Sequence, residues 1–165
     1  MREFDIKTTV TEYDTVGDLP ENYAELVMQA RDIAGHAYTP YSGFSVGAAL
    51  MLEDGTVITG SNQENAAYPS GSCAERVALF YANSRFPRLA VIAMAITGIG
   101  KDGQMADPPV YPCGACRQVM LESEMRSGKG MILIFDGKSR IHSVYCAREL
   151  LPLSFDKYSL FQDRY

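Results

Sequence analysis

Ser72-Cys73-Ala74-Glu75-Arg76 and Pro112-Cys113-Gly114-Ala115-Cys116-Arg117 are the two runs from which the rest of this chain is read. They hold three of its four cysteines. Zinc prefers thiolate and imidazole ligands in tetrahedral geometry, and a catalytic zinc keeps one of its four positions for water. Cys113 and Cys116 form a C-x-x-C pair whose sulfurs can share one ion, and Cys73 supplies the third. A helical pattern follows each run, Ala74 to Asn83 and Arg117 to Met125, so the cysteines fall at or near two helix N-termini. Unpaired amides and the helix dipole there favour thiolates. Three thiolates on a divalent ion leave one excess negative charge. Arg76 and Arg117, next to the motif residues, are placed to offset it by hydrogen bonds to sulfur.

Glu75 lies two residues beyond Cys73. It is close enough to take a proton from water activated by the metal and to return it to a substrate. Cys146, the fourth cysteine, has no paired cysteine and ends a strand pattern. It is read as a buried free thiol, since a fourth sulfur ligand would close the site and leave Glu75 without a task. His36 and His142 are the only histidines, which disfavours an imidazole-based metal site.

Working outward, four ordered motifs stand out: Tyr41 to Leu50 (YSGFSVGAAL), Gly60 to Ala66 (GSNQENA), Cys73-Ala74-Glu75-Arg76, and Pro112 to Gln118 (PCGACRQ). Together they resemble cytidine deaminases of the short, homotetrameric, three-cysteine zinc type, and the likeness runs from about Ala24 to Phe155. The resemblance implies one zinc per subunit on Cys73, Cys113 and Cys116, with Glu75 as proton carrier. The reaction it implies is hydrolytic deamination of cytidine and 2'-deoxycytidine, with release of ammonia, in pyrimidine salvage. It further implies that Asn62 and Glu64 hold the ribose 3'-hydroxyl, that Phe44 packs on the pyrimidine, and that Ala74 joins the substrate contacts. Phe155 sits where the family carries an aromatic that reaches a neighbouring subunit's pocket. Taken singly, Asn62 also suits a turn, Glu64 a solvated surface, Phe44 a core and Phe155 ordinary tail packing.

Composition agrees with a globular enzyme: 165 residues, 47% hydrophobic and 21% charged. The net charge of -5 argues against binding a phosphate backbone, and so against a nucleic-acid deaminase with a basic groove. Met1 to Val10 has the charges and lacks the apolar run of a secretory signal, and no stretch is long enough for a membrane span, so a cytoplasmic place is expected. A deaminase for another small nucleoside-like substrate such as blasticidin S, or a structural zinc module, are the competing readings.

The expected division is an N-terminal extension, 1–19, and one deaminase domain, 20–165. Glu3 to Val16 alternates like a strand, for an edge or an interface arm. A helix follows from Pro20 to Gly35, then a hairpin, Phe44 to Leu52 and Thr56 to Ser61, turning at Glu53-Asp54-Gly55. Leu89 to Thr97, Gly130 to Phe135 and Ile141 to Tyr145 read as further strands, and the loop Gly98 to Tyr111 as lying near the site mouth. Alternating helices and strands imply an α/β/α sandwich around a mixed five-stranded sheet, with the strand-like N-terminal extension outside it.

Overall fold

A computed structural model of the chain describes residues 1–160. The last five residues of the expected domain, 161–165, lie outside the described residues. The chain folds as β1 (Thr11–Tyr13), α1 (Glu21–Ala34), β2 (Ser45–Leu52), β3 (Val57–Ser61), α2 (Ala74–Arg85), β4 (Val91–Ile99), α3 (Gly114–Ser127), β5 (Ile132–Asp136), β6 (Ile141–Val144) and α4 (Lys157–Leu160). The sheet order is β1-β6-β5-β4-β2-β3. Only β4 and β5 run parallel; the other neighbours are antiparallel.

The sheet is therefore mixed, and it has six strands where five were expected. The sixth comes from the N-terminal segment. Only Thr11–Tyr13 of the expected Glu3 to Val16 strand is extended into the sheet. Its partner β6 has four residues and offers register positions at Ser143, His142 and Ile141, which limits how far pairing can spread.

The three layers follow from period-two alternation in the central strands. Ala49, Ala93, Ala95 and Ile134 face α1, through Leu26, Val27 and Ala30. Leu50, Leu52, Met94, Ile96, Leu133 and Phe135 face α2 and α3, against Ala78, Leu79, Ala82 and Met120. Small residues let both helix layers approach closely. A Cβ added to Gly47 would sit 2.0 Å from the Ala30 carbonyl of α1, and one added to Gly60 would sit 2.7 Å from the Ala78 amide of α2. Glycine is thus required at the two points where helix backbone rests on strand backbone.

Two polar devices pin the periphery. Asp136, fully buried at the end of β5, accepts from Nε and Nη2 of Arg31 on α1, both at 2.8 Å. Glu124 of α3 accepts from the amides of Met131 at 2.8 Å, Ala147 at 2.7 Å and Arg148 at 3.3 Å. That one carboxylate ties α3 to the entry of β5 and to the 3-10 turn Ala147–Leu150. Among the described residues, no helix is long and apolar enough to cross a membrane.

Candidate active site

Cys73 is the N-cap of α2 and Cys113 the N-cap of α3, both in extended backbone, while Cys116 is the third helical residue of α3. The two helices lie side by side on one sheet face, which carries their N-terminal ends to the same place. The sulfurs of Cys73, Cys113 and Cys116 all lie within 4.8 Å of one another, and those of Cys113 and Cys116 are 3.5 Å apart. Sulfurs bound at about 2.3 Å to a tetrahedral zinc stand about 3.8 Å apart, so the donor set fits that ion. Cys146 is not part of the cluster. It is half-buried rather than buried, and it stands beside Gly130.

The thiols are unequal. Hydrogen bonds from Cys116 and Cys113 to Cys73, together with the nearby Arg76 guanidinium, lower the Cys73 thiol to about 5 despite partial burial. Cys116 is pushed up, first because it donates to Cys73 and then by its own burial. Burial pulls the Arg76 guanidinium down, but the three sulfurs beside it more than compensate and hold it above its ordinary value. Its Nε is buried without a hydrogen-bond partner while Nη2 donates to the Gly71 carbonyl at 3.4 Å, so Arg76 presents an unspent donor in a sulfur-rich surrounding. Arg117 differs from the expectation of sulfur contact: its Nε donates to the Pro112 carbonyl at 2.8 Å and its Nη1 to the Leu150 carbonyl at 3.0 Å. It fixes the backbone on the N-terminal side of Cys113.

Glu75, the second residue of α2, is 5% exposed yet lines the cavity in front of the sulfurs. Burial, which disfavours the carboxylate, raises it above the usual range, and the neighbouring Cys73 sulfur pushes the same way. A carboxyl so placed, facing the cavity beside the sulfurs, is suited to taking up and returning a proton.

The cavity is of about 410 Å³. Asn62 and Glu64 line it because the chain beyond β3 is pinned to the entry of α2: Gln63 and Ser72 exchange both amide-to-carbonyl bonds at 2.9 Å. Each side chain also holds a loop. Asn62 accepts from the Val46 amide at 2.7 Å and donates to the Phe44 carbonyl at 3.0 Å. Glu64 accepts from the amides of Tyr41 at 2.9 Å and Ser42 at 3.3 Å, and hydrogen bonds from Ser42 and Tyr41 keep it below the usual carboxylate range. An amide has two N–H donors and a carboxylate about four acceptor sites, so neither side chain is exhausted by these bonds.

Phe44 does not line the cavity; its ring lies against Gly98 of β4. Ala74 is wholly buried as the first residue of α2, where an amide has no intrahelical acceptor. Phe155 is 60% exposed, and its carbonyl accepts from Gln118 of α3 at 2.9 Å. The sequence reading did not single out Val46, Val110 or Tyr111, all of which line the cavity. Adjacency to Pro112-Cys113 was the available signal for the last two, and it does bring the end of the Gly98 to Tyr111 loop to the site.

Comparison with known proteins agrees with this geometry. The family model described as "Cytidine and deoxycytidylate deaminase zinc-binding region" matches residues 20–129. A cytidine deaminase of Sporosarcina psychrophila is 40% identical over 140 residues, 82% of this chain and 93% of that protein. One of Halalkalibacterium halodurans is 50% identical over 97 residues, 59% of this chain and 68% of that protein. The crystal structure of cytidine deaminase from Burkholderia pseudomallei superposes with a TM-score of 0.67 at 39% identity, covering 79% of this chain and 97% of that one.

Proposed function

The chain belongs to the cytidine and deoxycytidylate deaminase family, and from that membership we propose that it hydrolyses cytidine and 2'-deoxycytidine to uridine and 2'-deoxyuridine, releasing ammonia. The observation that carries the reading is Glu75, a buried carboxyl raised above its usual range, set in a cavity wall beside three sulfurs fit for one zinc ion. Cys73, Cys113 and Cys116 would hold the zinc ion, which would supply Lewis acidity to make water a competent nucleophile.

The protein's own residues do the rest. Glu75 accepts one proton from the attacking water and delivers it to the pyrimidine ring nitrogen; it then takes the proton of the hydroxyl newly bonded to the ring carbon and passes it to the amine, so that the C–N bond breaks, ammonia leaves and the carbonyl forms. One carboxylate serves in turn as base and acid because each transfer restores it. Arg76 offsets the excess charge of three thiolates. Asn62 and Glu64, rigidly held where β3 leaves the sheet, bind the ribose 3'-hydroxyl with their remaining hydrogen-bonding capacity. Ala74 offers its backbone amide at the start of α2 as a further substrate contact, and Phe44 supports the cavity wall from behind instead of packing on the pyrimidine. Because Cys146 stands outside the sulfur cluster, a closed four-sulfur structural zinc is not favoured.

The reading extends to a cytoplasmic homotetramer working in pyrimidine salvage, with the exposed Phe155 directed at a neighbouring subunit. Sedimentation of the zinc-loaded protein tests the assembly. The reaction is tested by the ultraviolet absorbance of cytidine, beside the variant Glu75→Gln. Loss of signal with the parent and a rate about a hundredfold to ten-thousandfold lower with the variant is the expected result. Near-normal turnover by Glu75→Gln refutes the assigned role.

A further inference from the structure

Glu12 of β1 and His142 of β6 are register partners in an antiparallel pair, and His142 is in turn the partner of Phe135 in β5. The three side chains therefore form a row across the sheet on one face. Tyr111, a cavity-lining residue two positions before Cys113, lies over that row. Its ring meets Phe135 edge-on, with centroids 5.2 Å apart, and lies 23° from parallel to the His142 ring at 6.0 Å. Tyr111 Oη and His142 Nδ1 are 2.6 Å apart, and His142 Nε2 and Glu12 Oε2 are 2.7 Å apart. Arg140 Nη1 donates to the same Glu12 oxygen at 3.1 Å.

The direction of these bonds follows from their chemistry. A carboxylate only accepts, so Glu12 takes a bond from Nε2–H; in the neutral imidazole Nδ1 is then the acceptor, and the Tyr111 hydroxyl must donate to it. Glu12 thus selects the His142 tautomer, and that tautomer gives the Tyr111 hydroxyl one partner and one orientation. Neither Glu12 nor His142 lies within the family match over 20–129, whereas Tyr111 does.

We propose that Glu12 and His142 are positioning residues that fix Tyr111 as a wall of the nucleoside cavity, so that the N-terminal strand sets substrate affinity through a three-residue relay. The proposal rests on the deaminase reading for its substrate. It makes β1 more than an edge strand: removing the relay frees the Tyr111 ring, and substrate binding must then order it.

The test uses the zinc-loaded full-length chain in two measurements. Nitrogen-15 NMR of the imidazoles, with two histidines to assign, should show His142 protonated at Nε2, and Glu12→Ala and Tyr111→Phe should each shift that signal. Steady-state kinetics on cytidine should show KM raised about three- to tenfold in Glu12→Ala and in Tyr111→Phe with kcat nearly preserved, the size expected for one hydrogen bond. The double variant should be no worse than the worse single, because both changes cut one chain. A purely structural role for Glu12 would lower the melting temperature without touching KM, and would add to Tyr111→Phe. Protonation at Nδ1, an unchanged KM in Glu12→Ala, or additive effects overturn the proposal. A parent inactive on cytidine refutes the deaminase reading instead, and the His142 signal then decides the relay by whether Tyr111→Phe displaces it.

Discussion

Replacing Gly60 by alanine should disable the site without touching Glu75 or any of the three cysteines. The added Cβ would lie 2.7 Å from the Ala78 amide nitrogen and 2.8 Å from the Ala74 carbonyl oxygen. Both are backbone atoms of the first turns of α2, so no rotamer can relieve the contact. Ordinary carbon contacts begin near 3.5 Å, so α2 or β3 must retreat by about 0.7–1 Å. Overpacking on this scale costs about 1–3 kcal/mol, or about 3–10 °C in melting temperature for a chain of this size. The larger effect is at the end of the helix. Cys73 and Glu75 move with α2, whereas Cys113 and Cys116 are held by α3. Zinc sites accept ligand displacements of about 0.2 Å, and a misplacement near 1 Å costs about a hundredfold in rate. Zinc content after dialysis against a chelator, turnover of cytidine at saturating zinc, and thermal melting should be measured on one preparation. Gly60→Ala is expected to lose zinc readily and to turn over about a hundredfold more slowly while remaining folded. Full turnover with parental zinc retention refutes the claim that glycine at this position sets the height of the catalytic helix.

Three further outcomes are expected. In chelator-stripped protein, Cys73, lowered to about 5, is a thiolate above that pH, so iodoacetamide at pH 6 should modify it ahead of the other cysteines, and zinc should protect it; peptide mapping that finds Cys113 or Cys146 modified first contradicts this. Arg31→Met leaves the Asp136 carboxylate buried without its bidentate partner and should destabilise by about 3 kcal/mol, at the low end of the range for a broken buried pair because Arg31 itself is partly exposed; denaturant unfolding measures it. Glu124→Ala removes the acceptor of three backbone amides and should cost about 3 kcal/mol or more, whereas Glu124→Gln, which keeps one acceptor oxygen, should cost less; equal losses would show that the hydrogen bonds to Met131, Ala147 and Arg148 contribute little.

Much of the site was legible because its chemistry is local. Cys73 and Cys113 cap helices, Cys116 follows Cys113 by one turn, and Glu75 follows Cys73 by two residues; those spacings, read with the family resemblance of the surrounding motifs, nominate a ligand set and a proton carrier. The hairpin β2 and β3, the helix from Pro20 to Gly35 and the buried strands were equally readable, since each carries its own periodicity. What failed was long-range pairing. Nothing in Thr11–Tyr13 distinguishes it from the rest of the alternating Glu3 to Val16 segment; the short β6 decides which three residues join the sheet and brings the strand count to six.

The sequence by itself nominated the groups proposed to do chemistry, because three cysteines, a carboxylate and the motifs around them can be recognised in the primary structure. Only the tertiary structure decided how the groups are shared out. Asn62 and Glu64 brace the neighbouring segment Tyr41 to Val46, Arg117 grips carbonyls instead of sulfur, Phe44 stands behind the cavity wall, and Tyr111 enters that wall with partners from β5 and β6. The reason is physical: each of these assignments depends on which distant donor or acceptor comes within about 3 Å, and sheet order and register, not local spacing, fix that distance.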